Sequence, residues 1–163
     1  SLPLGVPGGP KPRRGGEAAL PESGRPTRIR VLPGPHADKF SPAALSELQS
    51  APYTLGTDSD RMGFRLNGPR LSHANGADII SDVTPLGVLQ VPASGQPVLL
   101  MADRQTTRGY AILATVISAD IGLAGQLAPG DQIQFEACTL QVAMAALIKQ
   151  EQALLAIEAG GLA

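Results

Sequence analysis

One cysteine in 163 residues leaves no partner for an internal disulfide, and two histidines are too few for a Cys/His zinc cluster. These scarcities point to a reducing compartment and to no bound metal. An excess charge of one sign is missing as well. With 13 basic residues against 14 acidic ones, a net charge of -1, there is no positive field to hold nucleic acid or an anionic membrane. No run approaches the roughly 18 apolar residues of a membrane span, and the opening SLPLGVPGG lacks the basic-then-apolar order of a secretory signal. A cytoplasmic protein with no nucleic-acid and no membrane partner is expected. The hydrophobic content of 43%, only 3% of the chain being aromatic, supplies one modest core and excludes two full domains.

Glycine and proline are abundant instead, 19 and 15 residues, which disfavours an all-helical fold and suits short strands joined by turns. Residues 1–26 hold 12 of them and no apolar periodicity, the texture of a linker at the seam of a longer protein. From Thr27 the pattern changes. Arg28-Ile29-Arg30-Val31-Leu32 alternates like a half-buried strand and stops at Pro33-Gly34-Pro35. Ser41-Pro42 then predicts a short helix up to Gln49, with Ser41 as its cap and Leu45 and Leu48 on one face. Strands are predicted at 53–55 and 62–66 around the turn Asp58-Ser59-Asp60, then at 87–91, 98–101, 112–117 and 132–135. Residues 139–159, without internal Gly or Pro, predict a C-terminal helix that packs on its own barrel or on a partner. Its apolar positions follow helical spacing only roughly, and no sustained heptad repeat is expected. The expected fold is mainly β with a few helices: a linker at 1–26, a β-barrel at 27–137, and a helix and tail at 138–163.

Chemistry is densest at Asp103-Arg104-Gln105-Thr106-Thr107-Arg108-Gly109-Tyr110, a polar stretch between apolar strands. It offers a cation, a carboxamide, two hydroxyls and a phenol, suited to a planar amide or carboxylate. The plainer reading is a connection whose Asp and Thr side chains satisfy turn amides. Arg61 and Arg65 flank Gly63 at a spacing that would put both on one strand face, where they would clamp an anion. The plainer alternative pairs them with Asp58, Asp60 or Asp82. Gly63 itself marks a bulge or a close backbone approach. No nucleophile elbow or triad is present. His36 and His73 read as surface residues, Cys138 as a small buried hydrophobe, and Asp120 and Asp131 as caps or turn residues.

Four separated strings carry a resemblance: RVLPGP (30–35), SDRMGFRLNGP (59–69), LGVLQVPASGQPVLLMADRQTTRGYAILATVISAD (86–120) and PGDQIQF (129–135). Together they resemble the allophanate hydrolase subunit 2 family, also called the biotin-dependent carboxyltransferase or KipA family, in its C-terminal part. The resemblance implies a cyclophilin-like β-barrel. It also implies a substrate-binding set of Arg61, Arg65, Arg104, Gln105, Thr106, Thr107, Gly109 and Tyr110. Where the family usually carries Gly-Gly and Pro-Lys, this chain has Arg108-Gly109 and Ala111-Ile112. Bacterial members serve as the C subunit of 5-oxoprolinase, which pairs with subunits B and A to open 5-oxoproline with ATP. Others form the carboxyltransferase half of urea carboxylase, with biotin on a partner, and one regulates a kinase inhibitor. Without a biotin-attachment Met-Lys context or ATP-grasp features, this chain is expected to bind no cofactor alone. It would be a hydrolase subunit active only in complex, using ATP in the assembly, or alternatively biotin on a partner.

Overall fold

Alternation at Thr27, Ile29 and Val31 buries one face of β1 (Thr27–Pro33). The computed structural model describes residues 24–160, so the expected linker at 1–26 lies almost entirely outside them. A single 3-10 turn (Ala37–Lys39) and α1 (Ala44–Ser50) follow, then β2 (Tyr53–Leu55), β3 (Gly63–Asn67), β4 (Asp78–Val83), β5 (Val88–Gln90), β6 (Val98–Leu100), β7 (Thr107–Tyr110) and β8 (Ile112–Val116). The chain ends through α2 (Ser118–Ala124), β9 (Gln132–Ala137) and α3 (Leu140–Gly160).

Seven strands close into a barrel in the order β1, β8, β5, β6, β3, β2, β9. Closure comes from parallel pairing of β1 with β9, Ile29 opposite Phe135; the remaining pairs are antiparallel. A closed barrel leaves no exposed edge for unwanted strand pairing. Its interior is filled by Ile29, Tyr53, Leu66, Leu89, Leu99 and Phe135, all essentially inaccessible to solvent. The rings of Tyr53 and Phe135 meet at 5.9 Å, and the Tyr53 hydroxyl donates to Pro69 O at 2.9 Å. Burial, with a smaller contribution from the Glu47 charge, pushes the Tyr53 phenol up to about 12. Gly63 shows the close approach expected of it: a Cβ there would stand 3.1 Å from Val98 Cγ1 and 3.3 Å from Leu99 O. The mainly β expectation with a C-terminal helix holds.

Several local expectations do not. Helix α1 starts three residues after Ser41, whose buried hydroxyl has no hydrogen-bond partner among the described residues and caps nothing. Helix α2 is absent from the predicted elements; at seven residues with an internal Gly122 it displays no apolar stripe to read. Asp120 is more than a cap. Its carboxylate accepts from Arg30 N at 2.8 Å, Nε at 3.0 Å and Nη2 at 2.7 Å, tying α2 to β1. This bond holds the Arg30 guanidinium above its ordinary value despite partial burial. Asp131 does act in a turn, accepting from Ala128 N at 2.8 Å. The histidines are structural rather than superficial: His36 Nδ1 accepts from Ile112 N at 3.1 Å, while His73 Nε2 meets Val91 O at 2.9 Å and its ring packs on Phe40. Cys138 is only half-buried, and burial pushes its thiol up. Helix α3 touches the body through α2 and β1, and Ala143 is its one buried residue.

Candidate functional site

The polar stretch predicted as a connection between barrel strands is half strand. Thr107 to Tyr110 form β7, which pairs with β4 as a two-stranded antiparallel ribbon outside the barrel, Asp78 opposite Tyr110 and Val83 opposite Thr107. The ribbon's faces are both largely solvated, Ile80 being 95% exposed, so the sequence carries no inside-outside alternation there. One residue fastens it. Thr84, 1% exposed, donates from its hydroxyl to Gln105 O at 2.6 Å and from its N–H to Thr106 O at 2.9 Å, and its carbonyl accepts Arg104 Nε at 2.7 Å.

Two depressions meet where this ribbon joins the barrel, and Tyr110 lines both. The first is a cleft of about 440 Å³ whose walls include Arg65, Asn67, Gln90, Gln96 and Tyr110. The second is shallow and open, bordered by Asp78, Ile79, Gln105, Thr107, Gly109 and Tyr110. A Cβ at Gly109 would come within 3.3 Å of Ile79 O, so the ribbon is tight at that point.

Of the predicted site residues, Arg65 and Tyr110 therefore share the cleft, and Gln105, Thr107, Gly109 and Tyr110 share the second depression. Arg61, Arg104 and Thr106 line neither. Arg61 precedes β3, so strand alternation does not govern it; it is 82% exposed and pairs through Nε with Asp103 at 3.0 Å. The two-arginine clamp is replaced by two separate ion pairs, because Arg65 Nε meets Asp58 at 3.0 Å. Arg104 is no free cation either. Its guanidinium is committed to backbone carbonyls of Thr84, Met101 and Ala102, and it braces the loop.

The residue that sequence reasoning missed is Gln90. Its side chain is 1% exposed at the end of β5, it lines the cleft, and its Nε2 is held only by a long 3.4 Å bond to Tyr110 O. That bond ties the carboxamide to the ribbon at the cleft wall. The signal was present as the single polar residue in the apolar run 87–91. Arg65 stands on the rim, 60% exposed on its side chain and ion-paired with Asp58. Carboxamide, guanidinium and phenol together can orient a small planar amide carrying a carboxylate. Among the described residues no three His, Cys, Asp or Glu side chains gather to hold a metal ion. None of their helices is long and apolar enough to cross a membrane.

Residues 1–137 match the model of the carboxyltransferase domain, subdomain A and B. The chain is 39% identical over 125 residues to the 5-oxoprolinase C subunit of Escherichia coli, covering 77% of this chain and 40% of that protein. Its identity to the Haemophilus influenzae protein of the same name is 42% over 115 residues, covering 71% of this chain and 37% of the other. The chain thus spans about two fifths of the length of these relatives. In three dimensions it is similar to the K. lactis urea amidolyase, with a TM-score of 0.72 and 28% identity over 77% of this chain and 8% of that one.

Proposed function

Because the chain belongs to the carboxyltransferase domain family, subdomain A and B, we propose that it is part of a 5-oxoprolinase C subunit whose cleft between barrel and ribbon binds the lactam. The observation that supports this most is the identity of 39% and 42% to two bacterial subunits of that name. The cleft suits the substrate. 5-Oxoproline is a five-membered cyclic amide bearing a carboxylate; the Gln90 carboxamide complements its lactam, and the Arg65 guanidinium on the rim complements its carboxylate. Holding the amide in one orientation lowers the entropic cost of attack without any covalent step by this chain. ATP and the remaining machinery come from subunits B and A, so the chain contributes a wall of a shared site and is active only in the assembly. Gln105, Thr107 and Gly109 border the adjoining depression and extend that wall.

The test is 5-oxoproline-dependent ATP hydrolysis by the full-length protein assembled with its B and A partners. Arg65→Ala or Gln105→Ala is expected to lower turnover with the complex intact by size-exclusion chromatography. Full activity in both variants overturns the assignment of the site.

A second reading, carboxyl transfer to urea or a related amide, draws on the likeness to urea amidolyase. Biotin's ureido ring is also a planar cyclic amide, and the weakly engaged Gln90 carboxamide fits it. Bound carboxybiotin would supply the carboxyl group, and Gln90 and Arg65 would only bind and orient the reactants. Inhibition of the assembled enzyme by avidin would favour this reading over the first.

A further inference from the structure

The floor of the cleft is the outward face of three neighbouring barrel strands, β5, β6 and β3. Phe64, Leu66, Leu89 and Leu99 turn toward the core, so the alternate positions Gly63, Arg65, Gln90, Val98 and Leu100 turn outward into the cleft. Register then fixes which of them are neighbours. Val98 is paired with Arg65 on one side and with Gln90 on the other, so a guanidinium, an isopropyl group and a carboxamide form one row across three strands. Directly opposed residues have Cα atoms about 5 Å apart. The two groups assigned above to the lactam's carboxylate and amide therefore stand on either side of an apolar residue.

Val98 is held at a fixed height. Val88, Leu100 and Ile112 form a second small apolar cluster, none of them more than 2% exposed, and Val98 packs against it while staying partly exposed itself. A close-packed backing of this kind does not sink to admit a larger ligand. Gly63, diagonal to Val98 on β3, leaves one of its methyl groups uncovered: a Cβ at that position would stand 3.1 Å from Val98 Cγ1 and 3.5 Å from Leu100 Cδ2. Carbon surface opened to the cleft in this way favours a ligand with hydrocarbon of its own to bury. Urea has none, whereas a lactam ring has its methylenes.

Resting on the assignment of the cleft to 5-oxoproline, we propose that Val98 determines specificity for ring size. The methylenes of the five-membered ring lie on its isopropyl group while Gln90 holds the amide and Arg65 the carboxylate. In a six-membered lactam carboxylate the additional methylene presses on Val98 and its rigid backing. The polar pair cannot make that distinction, since both rings carry the same amide and the same carboxylate.

The test measures substrate-dependent ATP hydrolysis by the full-length protein assembled with its B and A partners, using 5-oxoproline and its six-membered homologue, 6-oxopiperidine-2-carboxylate. The wild type should prefer the five-membered ring by about tenfold or more in kcat/KM, as one methylene in an apolar site allows. Val98→Ala lowers the floor and should cut that preference about tenfold. Val98→Ile, which keeps the apolar cluster filled, raises the floor and should strengthen the preference; it carries the test if the alanine variant does not assemble. A purely structural role lowers both substrates' values together and leaves their ratio unchanged. An unchanged ratio in the assembled variants, or a wild type that accepts both rings equally, would overturn the role of Val98 and leave the assignment of the cleft standing. No 5-oxoproline-dependent hydrolysis by the assembled wild type would overturn that assignment itself, and the role of Val98 with it.

Discussion

The barrel and the β4–β7 ribbon are both antiparallel sheet in the main, yet they are held by different forces. In the barrel every strand turns one face into a shared interior, and Ile29, Leu89, Leu99 and Phe135 are inaccessible there. In the ribbon most described side chains meet solvent, Ile79 alone of β4 packing against the core, and much of its anchorage is polar, through the buried Thr84 and the Arg104 brace. Hydrophobic burial fixes the scaffold to within a side chain's width, whereas a few directional bonds place the ribbon. The cleft forms where the two meet, with Gln90 contributed by the barrel and Tyr110 by the ribbon.

Mutations should separate the two regimes. The largest effect is expected from Phe135→Ala, which opens a cavity inside the barrel and should cost about 3 to 5 kcal/mol in urea denaturation; a loss below about 1 kcal/mol would break the comparison. Asp120→Ala comes next. It strands the Arg30 guanidinium and its backbone N–H, and should cost about 2 kcal/mol, less than for a fully buried pair because the Arg30 side chain is 36% exposed. Tyr53→Phe removes one hydrogen bond and should cost about 1 kcal/mol at neutral pH.

Tyr53 also carries a pH signature. Its phenol is near 10 when unfolded and about 12 when folded, so the native state retains a proton that the unfolded state loses. Its contribution is fully present below pH 10 and lost as pH rises from about 10 to 12. The wild-type denaturation midpoint should fall more steeply over that window than that of Tyr53→Phe. The smallest effect belongs to the ribbon: Ile80→Ser should change stability by less than about 0.5 kcal/mol, since Ile80 is almost wholly solvated.

The same contrast explains what was legible in the sequence. Residues 28–32, 53–55, 98–101 and 132–135 announced their strands because a barrel wall imposes a period of two or an apolar run. Residues 78–83 and 107–110 gave no such signal, because Ile79 is the only residue of β4 packed on the core and the strand carries no alternation. The Arg61 and Arg65 pair misled for a related reason: even spacing implies a shared face only inside a strand, and β3 begins at Gly63. Arg104 looked like a free cation because a hydrogen bond to the Thr84 carbonyl, 20 residues away, has no local trace. Gln90 was the reverse case. One polar residue in an apolar strand was visible in the sequence, but its meaning depended on Tyr110 arriving from the ribbon to complete the cleft.

The most direct test of the central account is the KM for 5-oxoproline of the assembled enzyme carrying Gln90→Met, which keeps the side chain's approximate volume in the wall and removes its carboxamide. The account predicts a KM raised by about tenfold, the loss of hydrogen bonding to one amide, with the denaturation midpoint unchanged. An unchanged KM in a folded, assembled variant would contradict the cleft between barrel and ribbon as the lactam-binding site.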